Sequence, residues 1–336
     1  MSGAPDSTPA VSSEVIPVVD PAAAPAPLPA TRREWSALLE RLGVRPSKGL
    51  GQNFLYERGI VQRMVRQAEI GPDDLVVEVG PGLGILTDEL LLRAGSVVAI
   101  ELDRRLAAHL RAQFADRPHL RLVEGNALDV TIDPLVPPGT PYTVAANLPY
   151  AVASAVLRRF LELPPPLRPR RLALMMQKEV AERLVARPPA MTIIGVAAQF
   201  YAAPRIAFDV APTVFIPPPT VQSAVVILDV HDTLPLPEGE RARFFRVVNA
   251  GFRQKRKQVA NSLAAELDLP KDAVAAWLTD AGIDPMRRAQ TLTVEEWVAM
   301  TGRAAELGLA APVPDKRVGR TGAGAEVVAD GEASRR

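Results

Sequence analysis

From residue 75 onward the chain alternates short, mainly apolar runs with longer stretches whose apolar positions recur every three to four residues. Residues 75–79, 97–100, 120–123, 143–146 and 172–176 are rich in Val, Ile, Leu and Ala and have strand length. Such runs suit strands buried on both faces. Residues 85–92, 103–114 and 150–161 carry helical spacing between them. This alternation predicts a parallel sheet with right-handed crossovers. Residues 205–210 and 223–228 predict a terminal antiparallel strand pair, and 192–201 a helix before it. A charged helix starts at Gln177, and Arg168, Arg170 and Arg171 follow three prolines in a basic turn.

The flanks read differently. Thr31 and Glu34 form a capping box before a helix with Trp35, Leu38, Leu39 and Leu42 on one face, closed by Gly43. Ile60, Val61, Met64, Val65 and Ala68 mark a second helix, stopped at Gly71-Pro72. Residues 231–240 are polar and proline-containing, which predicts a domain boundary. Beyond it Phe245, Val248 and Phe252 share a helical face, 273–281 is helical, and Thr293 with Glu296 caps a last helix. The domains expected are 31–230 and a smaller helical one at 240–308. Residues 1–30 and 309–336 lack periodicity and predict a disordered leader and tail.

Composition narrows the chemistry. The 336 residues include no cysteine and three histidines, His109, His119 and His231, scattered along the chain. Disulfides, thiolate metal sites and cysteine nucleophiles are excluded, and each histidine reads as structural, so no metal is expected. No apolar run has the length of a membrane span, and the first basic residue is Arg32, which predicts neither signal peptide nor anchor. A net charge of +1 means that any nucleic-acid contact must come from clustering. The cluster is Arg253-Gln254-Lys255-Arg256-Lys257, with aromatics just upstream. Arg253, Lys255, Arg256 and Lys257 are therefore candidate phosphate-backbone contacts, which position RNA without reading its sequence.

Two strand ends carry the candidate site. The first strand runs into Gly80-Pro81-Gly82-Leu83-Gly84 and then a helix, so backbone can approach a ligand closely at the helix N-terminus. A dinucleotide-binding G-x-G-x-x-G would need glycine where Ile85 stands. The spacing Glu78-x-Gly80-x-Gly82-x-Gly84 resembles the S-adenosylmethionine loop of Rossmann-like methyltransferases. Glu101, at the end of the second strand, is placed to accept both ribose hydroxyls of a nucleoside. Asn126, past the third, can accept from an adenine amine and donate to the ring nitrogen. Gln52 and Asn53 lie in a loop that reads as a lid over the ligand.

The fourth strand stops at Asn147-Leu148-Pro149-Tyr150. Proline ends the strand and keeps Leu148 extended. The Asn147 side-chain oxygen and the Leu148 carbonyl can each accept one N–H of an exocyclic base amine, whose lone pair is otherwise delocalised into the ring. That grip aims the lone pair at a methyl donor. Tyr150 can stack on an extruded base. Phe215, at the start of a proline-rich rim, can stack on the opposite face.

In order, Gly51-Gln52-Asn53-Phe54-Leu55, the glycine turn, Ile100-Glu101-Leu102-Asp103, Asn147-Leu148-Pro149-Tyr150, Gln177-Lys178-Glu179, residues 215–221 and residues 252–257 resemble the bacterial 16S rRNA adenine dimethyltransferases over roughly residues 45–297. The resemblance implies a class I methyltransferase sheet, mostly parallel, with a small C-terminal helical domain. It implies transfer of four methyls from S-adenosylmethionine to N6 of two adjacent adenosines in the 3′-terminal hairpin loop of small-subunit rRNA. The substrate would be an assembling 30S subunit. Apart from the resemblance, a cytoplasmic location is expected, and nothing in the sequence suggests more than a monomer. The resemblance implies cofactor contacts at Asn53, Leu55, Gly80, Glu101, Asn126 and Asn147, with Gln52 and Gly82 alongside, and a base framed by 147–150 and Phe215. The family usually has Asp where this chain has Asn126, often has Asn at the position of Ala151, and commonly has a tyrosine in the loop at 187–191. The rivals are a 23S rRNA adenine methyltransferase of the antibiotic-resistance type, an NAD-dependent oxidoreductase and a non-catalytic assembly factor.

Overall fold

A computed structural model describes residues 27–46, 52–304 and 309. The expected leader and tail fall outside the described residues except at their inner ends. There Leu28 is buried, and Leu309 is buried while its carbonyl accepts from Arg243 Nε at 2.8 Å.

Helix α1 (Arg32–Arg41) starts at the Thr31–Glu34 capping box and buries Trp35, Leu38 and Leu39. Strand β1 (Phe54–Leu55) and helix α2 (Arg58–Gln67) follow; Glu57 caps α2, so it begins two residues before its first apolar position. Then come β2 (Leu75–Val79), α3 (Ile85–Arg93), β3 (Ser96–Glu101), α4 (Arg104–Gln113), β4 (Leu120–Glu124), β5 (Tyr142–Asn147), α5 (Ala153–Leu161) and β6 (Arg171–Gln177). The chain continues through α6 (Lys178–Leu184), α7 (Ile193–Tyr201), β7 (Ala202–Val210), β8 (Phe215–Ile216) and β9 (Ser223–Val230).

The main sheet has seven strands in the order β4-β3-β2-β5-β6-β9-β7. Strands β4 to β6 run parallel, and β9 lies antiparallel to both β6 and β7. The order in which the chain lays down its strands reverses between β2 and β5, the kind of switch point at which open α/β sheets hold ligands. Register sets what meets there. Val79 is level with Ile100 and with Ala146, so Gly80, Glu101 and Asn147 stand abreast, one step beyond.

Successive residues of the central strands feed opposite cores. Val77, Val79, Val98, Ile100, Val144 and Ala146 join one cluster; Val76, Val97 and Ala145 join the other, with α1 to α4. The first cluster continues without a break into the C-terminal helices α8 (Arg241–Phe252), α9 (Val259–Leu267), α10 (Lys271–Asp280) and α11 (Val294–Arg303). The Phe200 and Phe244 rings stack at 4.4 Å across that junction. The polar stretch 231–240 thus connects two groups of elements with a shared apolar core. The arginines after the triple proline are structural: Arg168 donates to the carbonyls of Leu161 and Leu163, Arg170 pairs with Asp74, and Arg171 with Glu69 and Asp229.

Candidate active site

Gly80, Gly82 and Gly84 have φ of +67°, +60° and +89°, backbone that side-chain-bearing residues adopt at a cost. Their surroundings differ. A Cβ on Gly84 would meet the Phe114 ring at 2.9 Å, so this position lets α4 pack close; one on Gly80 would meet nothing within 4 Å among the described residues, which leave its backbone uncovered.

Glu101 ties the turn to β3. Its Oε2 accepts the Gly82 N–H at 3.0 Å and its Oε1 accepts the Asp103 N–H at 2.9 Å. Burial pushes its carboxyl above the ordinary carboxylate range, and those backbone donors pull it back. Each oxygen keeps lone-pair capacity for a ribose hydroxyl. Beneath the turn, the Glu78 carboxyl is buried and has no hydrogen-bond partner in standard geometry among the described residues. Desolvation pushes it up to about 8, the neighbouring Thr87 hydroxyl works to lower it, and the charge of Glu101 adds to the rise. An orphaned carboxyl under an open glycine cradle, with Leu102 at 64% exposure on the adjacent strand tip, fits a cationic nucleoside ligand such as S-adenosylmethionine: a charge partner, ribose acceptors and an apolar side chain for a base.

Asn126 also has partners within its own turn. Its side chain is engaged locally: Nδ2 donates to Asp129 Oδ2 at 2.7 Å and Oδ1 accepts from the Leu128 N–H at 3.1 Å. Residues 126–130 form a tight turn, with the N–H groups of Asp129 and Val130 both on the Asn126 carbonyl at 2.9 Å. One donor and one acceptor position remain on the amide for a ligand.

At the end of β5 the Leu148 N–H donates to the Met175 carbonyl at 3.2 Å, and the Val152 N–H closes a turn on the Pro149 carbonyl at 3.0 Å. The Leu148 side chain is buried while Asn147, Pro149 and Tyr150 are half-buried. Among the described residues neither the Asn147 carboxamide nor the Leu148 carbonyl has a hydrogen-bond partner, leaving two neutral acceptors side by side. The Tyr150 hydroxyl is 2.8 Å from Ser223 Oγ, a partner that sequence reasoning missed because Ser223 had registered only as the first residue of a strand.

The lid and the rim are one object. Strand β1 pairs antiparallel with β8, Phe54 opposite Ile216 and Leu55 opposite Phe215. Tyr56 extends the pairing, its N–H on the Val214 carbonyl at 3.1 Å and its hydroxyl on the Thr213 carbonyl at 2.8 Å. A Cβ on Gly82 would meet the Phe54 ring at 3.4 Å, so the strap rests on the glycine turn at one end and forms the rim at the other. Gln52 and Asn53, both half-buried, lead directly into it; residues 47–51 lie outside the described residues. This pairing also places Phe215. Its ring is 2% exposed, held in the core cluster behind the strap, and offers no open face to a base in this arrangement.

Arg253, Lys255, Arg256 and Lys257 occupy the turn between α8 and α9, all exposed. Arg253, Arg256 and Lys257 have no acidic partner among the described residues, unlike Arg241 and Arg243, which pair with Glu238 and Glu240.

The sheet order, the glycine turn and the acidic tip of β3 define a class I methyltransferase. Residues 45–306 match the family model described as ribosomal RNA adenine dimethylase, and the chain belongs to that family. It is 42% identical over 282 residues to a ribosomal RNA small subunit methyltransferase A of Moorella thermoacetica, covering 81% of this chain and 97% of that protein. Among solved structures it resembles the 23S rRNA methyltransferase ErmE (27% identity, TM-score 0.61, covering 75% of this chain and 99% of that one). It also shares its fold with a dimethyladenosine transferase of Plasmodium falciparum (21% identity, TM-score 0.65, covering 76% and 98%). Among the described residues no helix is long and apolar enough to cross a membrane.

Proposed function

We propose that this chain dimethylates N6 of two adjacent adenosines in the 3′-terminal hairpin loop of 16S rRNA, acting as a cytoplasmic monomer on the assembling 30S subunit. The observation that carries the reading is the pair of neutral acceptors, Asn147 Oδ1 and the Leu148 carbonyl, unpartnered among the described residues, at the switch point beside the glycine cradle. The bound donor supplies a methyl group already activated on a sulfonium, so the protein's task is positioning. Gly80, Gly82 and Glu101 hold its nucleoside, with Gln52, Asn53 and Leu55 closing over it and Asn126 on the adenine edge. Asn147 and Leu148 take one N–H each of the target amine and hold its nitrogen near tetrahedral geometry, which frees the lone pair for in-line attack. The amine becomes acidic only as the N–C bond forms, so its proton leaves late, to water, and a neutral acceptor suffices. Tyr150 stacks on the extruded base. Phe215 joins it only if the β1–β8 strap shifts. Arg253, Lys255, Arg256 and Lys257 grip phosphates.

The shared fold with ErmE makes 23S rRNA the competing substrate, and the names of the relatives by sequence favour the small subunit. Incubating the enzyme and donor with under-methylated 30S and with 50S subunits, followed by mass spectrometry of rRNA fragments, decides between them. Dimethyladenosine in the terminal 16S hairpin is expected. Modification confined to 50S would overturn the substrate assignment, and no modification of either by wild type would favour a non-catalytic assembly role.

A further inference from the structure

The Asn126 amide sits between two partners that ask for opposite ends of it. Asp129 Oδ2, an acceptor, takes Nδ2–H at 2.7 Å; the Leu128 N–H, a donor, takes Oδ1 at 3.1 Å. A primary amide can rotate by half a turn and exchange its donor and acceptor ends. Here the exchange would set oxygen against a carboxylate and NH2 against a backbone N–H. Asp129 is exposed and has no cationic partner among the described residues, so its one specific interaction is with this amide.

We propose that Asp129 is a positioning residue that makes the donor site selective for adenine over hypoxanthine by fixing the orientation of the Asn126 amide. This rests on the assignment of Asn126 to the adenine edge. In the locked orientation the amide keeps one acceptor position on Oδ1 and one N–H on Nδ2. An adenine edge offers the complement, an amine that donates and a ring nitrogen that accepts. Hypoxanthine offers the reverse, a carbonyl and a ring N–H, and would need the rotated amide. A site whose polar groups pair with one edge rejects the other because the mismatch leaves groups unpaired. A carboxylate directly at position 126 could accept the amine without any such lock. With Asn there, orientation must be imposed from outside, and Asp129 supplies the charge one turn away.

The test is isothermal titration of S-adenosylhomocysteine and its inosine counterpart into wild type, Asp129→Ala, Asp129→Asn, Asn126→Ala and the exchange variant Asn126→Asp/Asp129→Asn. Wild type is expected to prefer the adenosyl compound. Asp129→Ala should lower that preference about five- to tenfold, through weaker adenosyl binding and better tolerance of the inosyl compound, and its cost in turnover should fall on the donor KM rather than on kcat. Asp129→Asn, which keeps the side-chain volume, should also lower it. The exchange variant should recover the preference, because its carboxylate at position 126 would accept the amine and its amide at position 129 would donate to that carboxylate. An unchanged adenosyl-to-inosyl ratio in both single variants at position 129, with Asn126→Ala reducing it, overturns the role of Asp129 alone. An unchanged ratio in Asn126→Ala as well overturns the adenine assignment beneath it. Melting temperatures of each variant separate these outcomes from loss of fold.

Discussion

The Tyr150 hydroxyl and Ser223 Oγ meet at 2.8 Å across 73 residues of sequence. Ser223 is fully buried at the start of β9 and level with Gln177 at the end of β6, so the antiparallel part of the sheet tethers the Tyr150 ring, the proposed stacking surface for the base. Tyr150→Phe and Ser223→Ala each remove that tether and keep the ring. Each should lower kcat/KM on under-methylated 30S subunits about fivefold, the weight of one net hydrogen bond of about 1 kcal/mol. Tyr150→Ala also removes the stacking surface, at about 1–3 kcal/mol or roughly 5- to 150-fold. Donor affinity, measured by titration, should hold in all three.

Asn147→Ala removes one of the two acceptors proposed for the target amine and leaves the Leu148 carbonyl. Loss of one preorganised polar contact to a reacting group costs about 10²- to 10³-fold in kcat, and single-turnover methylation of 30S should show a drop of that order. Asn147→Asp keeps an acceptor oxygen and should fall between the two. A kcat for Asn147→Ala equal to wild type would remove the amine grip from the mechanism.

The parallel sheet was legible because strands buried on both faces leave apolar runs that little else explains, and because Gly80, Gly82 and Gly84 punctuate the first of them. The helix starts at Thr31 and Thr293 were legible from capping boxes, and both boxes form with all their bonds. The strap was not. Strands β1 and β8 contribute two residues each, too few for any period to show, and the contact between Leu55 and Phe215 depends on the rest of the fold being in place. The same distance hid Ser223 from Tyr150 and buried a phenylalanine that looked free in a proline-rich connection. The local partners of Asn126 were hidden for another reason: Asp129 was visible three residues on, but which neighbours a side chain engages is settled by turn geometry.

Glu78 gives the site a pH dependence. Its carboxyl titrates at about 8 in the folded protein against an ordinary value of 4.5. Below 4.5 it is protonated whether the chain is folded or not. Between 4.5 and about 8 the unfolded chain gives up this proton and the folded chain keeps it, so this group's contribution to stability falls as pH rises across that window and is level above it. Denaturation midpoints of wild type and Glu78→Gln should therefore diverge with pH in that range. A cationic donor bound nearby favours the ionised carboxylate, so binding should release protons below about pH 8 and tighten as pH approaches it. Titrations in buffers of different ionisation enthalpy measure the release, and Glu78→Gln should abolish it.

The basic turn between α8 and α9 should act on RNA and on nothing else in the reaction. Arg253, Arg256 and Lys257 are exposed and unpaired by acids among the described residues, and a cation that neutralises a phosphate releases condensed counterions, so its signature is in salt dependence. Replacing the three with Gln should weaken binding of the 16S 3′ hairpin and flatten the slope of log K against log salt by about 0.7–0.9 for each phosphate no longer neutralised. Affinity for S-adenosylhomocysteine should not change, because the turn belongs to the C-terminal helices and the proposed donor site is built from β2, β3, β4 and the strap. A weakened hairpin with an unchanged slope would mean that the turn supports the helical packing rather than the RNA backbone.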